Sequence, residues 1–551
     1  MPDRILVCVA WPYANYLLHV GQIAGAYLPA DIFARYQRLR GNDVLMVSGS
    51  DCHGTPITVA AEKEGVDPGV IVERYHARIL EVWERLGISF DLFTTTLTPN
   101  HYATTQDVFL RLLEKGLLEP RTEDHLFDPE AERFLPDRYV EGTCPVCGYL
   151  EARGDQCDNC GSTLDAVDLI NPRSKISGAT PILRPSEHFF LRLSALEADL
   201  KAWASKQAHW RRNVLNFTLG SLNEGLKDRA ITRDINWGVP VPVPGYDSKR
   251  IYVWFDAVIG YLSATKEWAQ KVGQPDAWKR YWHDPATRSY YFIGKDNIPF
   301  HTIIWPGMLM GYGGLNLPYD VPANQYVNFA AGQKQSKSKG TGTWMVNLLD
   351  AYSADTVRFY LTTILPETSD SEFREDELIR ANNDVLIATW GNLANRVISM
   401  IHRNFDGVVP QVDGLAPESA ALIAAAESAF ETAGAEYNAC RFRNALQESL
   451  KLAQAANKYL DERAPWKAVK TDTAHAGETL STALNVIGAL KTLLHPIIPF
   501  STSQLHQDLS QPADPLATGW RYVPIASGTR LASPRPLYAK IDALAEGGVP
   551  A

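Results

Sequence analysis

His19, Gly21 and Gln22 stand just after a short apolar run, Ile5 to Ala10, and a turn made by Pro12-Tyr13-Ala14-Asn15. Some three hundred residues later the chain carries Lys334-Gln335-Ser336-Lys337-Ser338-Lys339-Gly340. A His-x-Gly at the mouth of a helix offers an imidazole and backbone N–H groups to an anionic phosphate chain. A loop of lysines and serines could clamp the same phosphates from the other side while charge builds up in an adenylate-forming transition state. The pair points to a nucleotide-activating site, with His19, Gly21, Gln22, Lys334 and Lys337 as catalytic candidates and Ser336 beside them as an ATP contact.

Four of the seven cysteines form two C-x-x-C knuckles, Cys144-Pro-Val-Cys147 and Cys157-Asp-Asn-Cys160, within a segment rich in Gly and Asp. That spacing suits tetrahedral Zn²⁺ held by four thiolates. Two disulfides are the competing reading, and they are disfavoured in a cytosolic enzyme with three further scattered cysteines. Four thiolates close the coordination shell and leave no place for an activated water, so the zinc is expected to be structural, holding an insertion too short to build its own core. Cys8, Cys52 and Cys440 read as buried or incidental thiols.

The elements that must position these groups belong to a chain of 551 residues, 45% hydrophobic and 21% charged, enough for three or four domains. No stretch reaches the roughly 20 apolar residues of a membrane span, and the apolar run near the start is too short for a signal peptide. A soluble, cytoplasmic protein without a membrane partner is expected. The net charge of −10 argues against holding nucleic acid by bulk positive potential. It leaves room for a local basic groove, for which Lys201, Lys206, Arg211 and Arg212 are weak candidates.

Ile5 to Ala10 reads as a strand, Val20 to Leu39 as a helix and Val44 to Val47 as a second strand leading into Ser50-Asp51-Cys52-His53-Gly54-Thr55-Pro56. Such a βαβ unit has a right-handed crossover and collects ligands at the carboxyl ends of its strands, which puts His19 and Asp51 at one rim. Pro29 should kink the helix or delay its start. From Glu114 to about Thr232 the pattern breaks into knuckles, turns and short strands. Strand-like runs return at Tyr252 to Asp256 and Tyr290 to Gly294. Beyond Asp370 the chain turns helical: Leu386, Trp390, Leu393, Val397 and Ile401 recur at spacings of three and four, and further helices are expected around Phe442 to Tyr459 and Ala474 to Leu494.

The ordered segments Pro12 to Asn15, His19-x-Gly21, Asp51 to Pro56, the two knuckles, Arg233-Asp234, Trp237-Gly-Val-Pro, Trp254-Phe-Asp256-Ala257, Gly294 to His301, Ser336-Lys337-Ser338, Pro366-Glu-Thr, Asn392 to Arg396 and Ala464-Pro-Trp466 resemble the methionyl-tRNA synthetase family of class I aminoacyl-tRNA synthetases along nearly the whole chain. The resemblance implies an α/β fold: a Rossmann-type catalytic domain in two halves (1–115 and 233–325), a zinc-bearing connective insertion (116–232), a lysine-loop stem-contact region (326–380) and an all-α anticodon-binding-like bundle (381–551). It implies that Asp51 holds the substrate ammonium, and that Trp11, Tyr13, Trp254, Ala257, Tyr261, Asn297 and His301 line the amino-acid site. It further implies that His19, Gly21, Gln22, Ser336 and Lys337 meet ATP with Mg²⁺. Asn392, Arg396 and Trp466 would read the tRNA anticodon, and an amide, a guanidinium plane and an indole suit unstacked bases.

Departures from the family cluster around the substrate. Gln22 replaces the second histidine of the signature, and Gln335 stands where the lysine loop normally has a bulky apolar residue. Tyr16 stands where glycine is usual, and Trp11 where leucine is usual in the methionine pocket. A neutral donor at Gln22 forfeits roughly 1–2 kcal/mol of phosphate stabilisation. An indole pointing inward beside Tyr261 would shrink the space for a thioether and count against methionine. Two readings therefore stay open: a methionine–tRNA ligase, and a divergent paralogue that activates another amino acid and hands it to a small amine or hydroxylamine, as in hydrazine-forming biosynthesis. With no sign of an appended dimerisation domain after Ile541, a monomer is expected.

Overall fold

The computed structural model describes residues 2–162, 164–329, 344–511 and 514–542. Five parallel strands form the central sheet: β1 (Arg4–Val9), β2 (Asp43–Ser50), β3 (Leu92–Thr95), β4 (Arg288–Gly294) and β5 (Ala323–Asn324), in the order β5-β4-β1-β2-β3. Because β1 is the middle strand of a sheet covered on both faces, it is apolar without interruption from Ile5 to Val9. Its side chains nevertheless alternate. Ile5, Val7 and Val9 enter one core with Tyr290 and Phe292 of β4, while Leu6 and Cys8 enter the other with Tyr291 and Ile293. The chain runs outward from β1 to β2 and β3, then returns to place β4 on the other side of β1, so the strand order reverses at β1 and leaves a crevice at the carboxyl ends.

The crossover from β1 to β2 ends in α1 (Leu28–Leu39), which is preceded by a π-helical turn, Ile23–Tyr27. Pro29 therefore falls in the first turn of a restarted helix, where a missing N–H is tolerated. The carbonyl of Gly25, four residues earlier, accepts instead from Asn324 Nδ2 at 2.8 Å, a side chain on β5. The later helix start expected at Pro29 is thus resolved by a local widening of the helix and a tertiary hydrogen bond. Helix α2 (Pro68–Leu86) and helix α3 (Pro99–Glu114) flank β3 in the sequence.

The segment between the two halves of the sheet is built on strands Leu118–Asp128 and Ile182–Leu191, paired antiparallel from Leu118↔Leu191 to Phe127↔Ile182. These are long, not short as the turn-rich sequence suggested. A three-stranded sheet at their far end, Val140–Thr143, Ala152–Arg153 and Ile170–Ser174, carries the cysteines and a small apolar cluster around Tyr139, Val140 and Leu164. Arg211 is no part of a basic groove: it donates to the carbonyls of Ala323, Glu367 and Cys440 and to Asn324 Oδ1.

A second correction concerns Tyr252 to Asp256, read as a strand from its aromatic and β-branched run. It opens helix α4 (Val253–Lys271), buried over most of its length. A helix buried on nearly all sides shows no apolar stripe, so periodicity could not separate it from a strand. Downstream come α5 (Ala354–Thr363) and the bundle helices α6 (Asn392–Asn404), α7 (Pro417–Asn438), α8 (Phe442–Arg463) and α9 (Thr473–Leu494). Helix α9 is buried almost end to end and serves as the bundle's axis, packed against α6, α7 and α8. Leu386, Trp390, Leu393, Val397 and Ile401 are all buried, as their spacing required. No helix among the described residues is long and apolar enough to cross a membrane.

Candidate active site

Past the end of β1, the chain crosses the mouth of β2. Asp51 N–H donates to the Pro12 carbonyl at 2.8 Å and Ala14 N–H to the Asp51 carbonyl at 3.0 Å, so Tyr13 and Asp51 pair like a last rung of the parallel ladder. His19 follows on the same segment, at the start of the helical turn Val20–Gln22. The Gln22 side-chain oxygen accepts from the His19 backbone N–H at 3.2 Å, closing that turn. His19 also pairs with Trp344, and Met345 N–H donates to the Leu18 carbonyl at 2.9 Å. Tyr16 lies parallel to Tyr75, with ring centres 6.1 Å apart, and 5.1 Å from Trp344. The chain that follows the lysine signature is thus fastened beside His19. Lys334, Gln335, Ser336 and Lys337 themselves lie outside the described residues.

Asp51 is buried, and burial first, then the negative charge of Asp256, push its carboxyl well above the usual carboxylate range. Asp256 is equally buried but behaves in the opposite way. Its two oxygens bond His53 Nδ1, at 2.5 Å, and His101 Nε2; burial would raise its carboxyl, and the two imidazoles outweigh that and hold it well below the usual range. His101 continues to Ser263 Oγ at 2.8 Å, and His53 to the Tyr102 hydroxyl at 3.2 Å. Side chains from the β2 rim, α3 and α4 are fastened to one another in this way. These three residues also bring three atoms able to ligate a metal close together. Direct Asp–His hydrogen bonds this short leave no room for an ion between the ligands, since metal ligands at about 2.0 Å from zinc sit more than 3 Å apart.

An apolar wall lies next to Asp51. Trp254 stacks on Phe300 with centres 4.2 Å apart, and Tyr13 meets it edge-on at 6.2 Å. Tyr261, one helical turn beyond Ala257, bonds His301 Nε2 at 2.7 Å, and His301 Nδ1 contacts the Asn297 carbonyl at 2.9 Å. A carbonyl only accepts, so Nδ1 carries the proton and the Tyr261 hydroxyl donates to Nε2. Burial pulls the His301 imidazole down to about 4, leaving this wall uncharged at neutral pH. Trp11 stands beside Tyr261, 6.5 Å away and nearly perpendicular. This is the arrangement expected to count against methionine; the added ring volume, however, falls where Gly49 and Gly260 carry no side chain.

Cys144, Cys147, Cys157 and Cys160 converge, with Cys144 and Cys160 sulfurs 3.9 Å apart and those of Cys147 and Cys157 3.6 Å apart. A tetrahedron with Zn–S bonds of about 2.3 Å has edges of about 3.8 Å, whereas a disulfide brings sulfurs to about 2.05 Å. The donor set fits zinc. Cys8, Cys52 and Cys440 are free and buried. In the bundle, Asn392 and Arg396 lie exposed on one face of α6. The Arg396 guanidinium sits 5.2 Å from the centre of Trp466, which is 38% exposed, and Arg396 also pairs with Asp461 at 3.5 Å. The sequence reading brought Asp256 in only as part of a motif and missed His53 and His101 as its partners.

Comparison with known proteins places the chain and its fold in a class. The family described as tRNA synthetases class I (M) matches residues 5–398, and the anticodon binding domain of methionyl tRNA ligase matches residues 409–546. The methionine–tRNA ligase of Dehalococcoides mccartyi (strain BAV1) is 54% identical over 98% of both chains, and that of a Roseiflexus species (strain RS-1) is 56% identical over 92% of this chain and 87% of its own. The crystal structure of Mycobacterium tuberculosis methionyl-tRNA synthetase bound by methionyl-adenylate superposes with a TM-score of 0.80 at 27% identity, covering 98% of this chain and all of that one. The chain belongs to the methionyl-tRNA synthetase family.

Proposed function

We propose that this chain joins methionine to tRNA in two steps. The methionine carboxylate attacks the α-phosphorus of ATP, forming methionyl adenylate and releasing pyrophosphate. A terminal ribose hydroxyl of the tRNA then attacks the acyl carbon and AMP leaves. The observation that carries this reading is end-to-end likeness to relatives named methionine–tRNA ligase, together with likeness to a structure that holds methionyl-adenylate. The same likeness sets aside the second reading, a paralogue acylating a small amine or hydroxylamine, because 54% identity runs over 98% of both chains.

In this reading Asp51 receives the methionine ammonium. Trp11, Tyr13, Trp254, Ala257, Tyr261, Asn297 and His301 surround the side chain, and the uncharged Tyr261–His301 wall suits a thioether. His19, Gly21 and Gln22 face the phosphates, with Lys334, Ser336 and Lys337 approaching from the other side as Mg²⁺-bound pyrophosphate departs. The four knuckle thiolates hold a structural Zn²⁺. Asn392, Arg396 and Trp466 take the unstacked anticodon bases, and the work is cytoplasmic. Pyrophosphate exchange across a panel of amino acids, with tRNA charging measured alongside, tests the reading. Methionine-dependent exchange plus charging is expected; exchange with another amino acid and no charging would overturn it.

A further inference from the structure

The indole of Trp11 is held in a slot between β2 and α4, and the slot exists because two residues lack side chains. A Cβ on Gly260 would lie 2.6 Å from both Cε2 and Cζ2 of the ring and 3.1 Å from Nε1. A Cβ on Gly49 would lie 2.2 Å from Cζ3 and 2.6 Å from Cη2, and would also meet the Thr94 carbonyl at 2.6 Å. Contacts under 3.0 Å are not made by real Cβ atoms. Gly260 sits inside the helix Val253–Lys271 without a left-handed backbone that would call for glycine. A glycine there costs about 1 kcal/mol relative to alanine. The three atoms nearest that Cβ position, outside the helix's own backbone, all belong to the ring. The indole N–H is buried against Gly260 and has no hydrogen-bond partner among the described residues, so no polar contact holds the ring in place. Shape alone seats it, with one edge toward Tyr261 and the other side toward His101.

We propose that Gly260, with Gly49, is a specificity-determining residue of this chain: the two missing side chains draw the Trp11 indole back into the seam between β2 and α4, and so keep the pocket beside Tyr261 wide enough for a methionine side chain. The inference rests on the assignment of that pocket to the amino-acid substrate. A methyl group at position 260 must displace the ring, and in this proposal the displacement narrows the space beside Tyr261, whose ring centre lies 6.5 Å away. Trp11 and Gly260 therefore act as one unit, and either change alone alters the pocket in opposite senses.

The test measures methionine- and ethionine-dependent pyrophosphate exchange for G260A, W11L and the double variant. With an apolar pocket responding to single methyl-sized changes, G260A raises KM for methionine by roughly tenfold or more while KM for ATP stays within about twofold. W11L enlarges the pocket and improves kcat/KM for the longer ethionine relative to methionine. The double variant returns to within about threefold of W11L, a coupling that a merely structural role for Gly260 would not produce. An unchanged methionine KM in G260A, or a G260A defect that W11L does not relieve, overturns the inference. If W11L leaves both substrates unaffected, the pocket assignment itself fails. Should G260A alone not fold, the double variant still must fold and behave like W11L, and its failure to do so counts as overturning.

Discussion

Two aspartates of the same rim are driven apart in their readiness to ionise. Asp256 is kept charged by two imidazoles, and its charge, added to burial, makes Asp51 reluctant to ionise until a cation arrives. An ammonium is such a cation, and binding it takes Asp51 in its ionised form. Falling pH opposes that ionisation, so KM for methionine should rise as pH is lowered while KM for ATP changes less; a pH series of exchange kinetics checks this. Asp256→Asn removes the repelling charge, and the acid limb of the methionine KM profile should move to lower pH. A profile unmoved by that substitution would show that the two carboxyls do not communicate. For stability the sign is set by Asp256 itself: its lowered carboxyl contributes stability above the unfolded value of about 4, lost as pH falls further.

At the scale of elements, the knuckle sheet is too small to stand on the apolar cluster around Tyr139, Val140 and Leu164. A zinc ion held by the four convergent thiolates would supply the rest of its stability. The purified protein should carry about one zinc per chain, and Cys147→Ala should lose the metal and lower the thermal midpoint, as metal analysis and calorimetry would report. Helix α6 makes a different prediction. Asn392, Arg396 and the half-exposed Trp466 present an amide, a guanidinium and an indole together, yet none of them supports the core. Trp466→Ala should lower kcat/KM for tRNA charging by roughly 5- to 150-fold, the value of one stacked base, while methionine-dependent pyrophosphate exchange is unchanged.

Across the whole molecule, one buried guanidinium joins the catalytic half, the α5 region and the bundle. Arg358 is fully buried and donates to Asp31 Oδ2 at 2.6 Å, to the Leu86 carbonyl at the end of α2, and to the carbonyls of Pro496 and Ile497 just past α9. Asp31 accepts in turn from Arg35 and from Ser89. Burial would raise the Asp31 carboxyl, and the two arginines with the Ser89 hydrogen bonds outweigh it and hold it well below the usual range. Arg358→Met takes one of two arginines from that buried carboxylate and removes the donor that three carbonyls share, so urea unfolding should show a loss of about 3–5 kcal/mol. A loss under about 1 kcal/mol would mean that water or Arg35 replaces the guanidinium.

Much of this was legible along the chain. The apolar run Ile5 to Ala10 marked a strand of a βαβ unit, and the cysteine spacing marked four sulfurs able to share one metal, because in each case the deciding pattern is local or repeats at short range. What escaped was whatever depends on residues brought together from far apart. Helix α4 looked like a strand because burial on all sides erases its period. His53 and His101 meet Asp256 across 203 and 155 residues. Arg211, charged and seemingly available to nucleic acid, is spent on carbonyls from three other segments. Trp11 is the clearest case. The sequence by itself determined that an indole stands where leucine is usual; only the tertiary structure decided where the added volume goes, since a side chain's size is written in one residue and the space that receives it is made by others, here the absent Cβ atoms of Gly49 and Gly260.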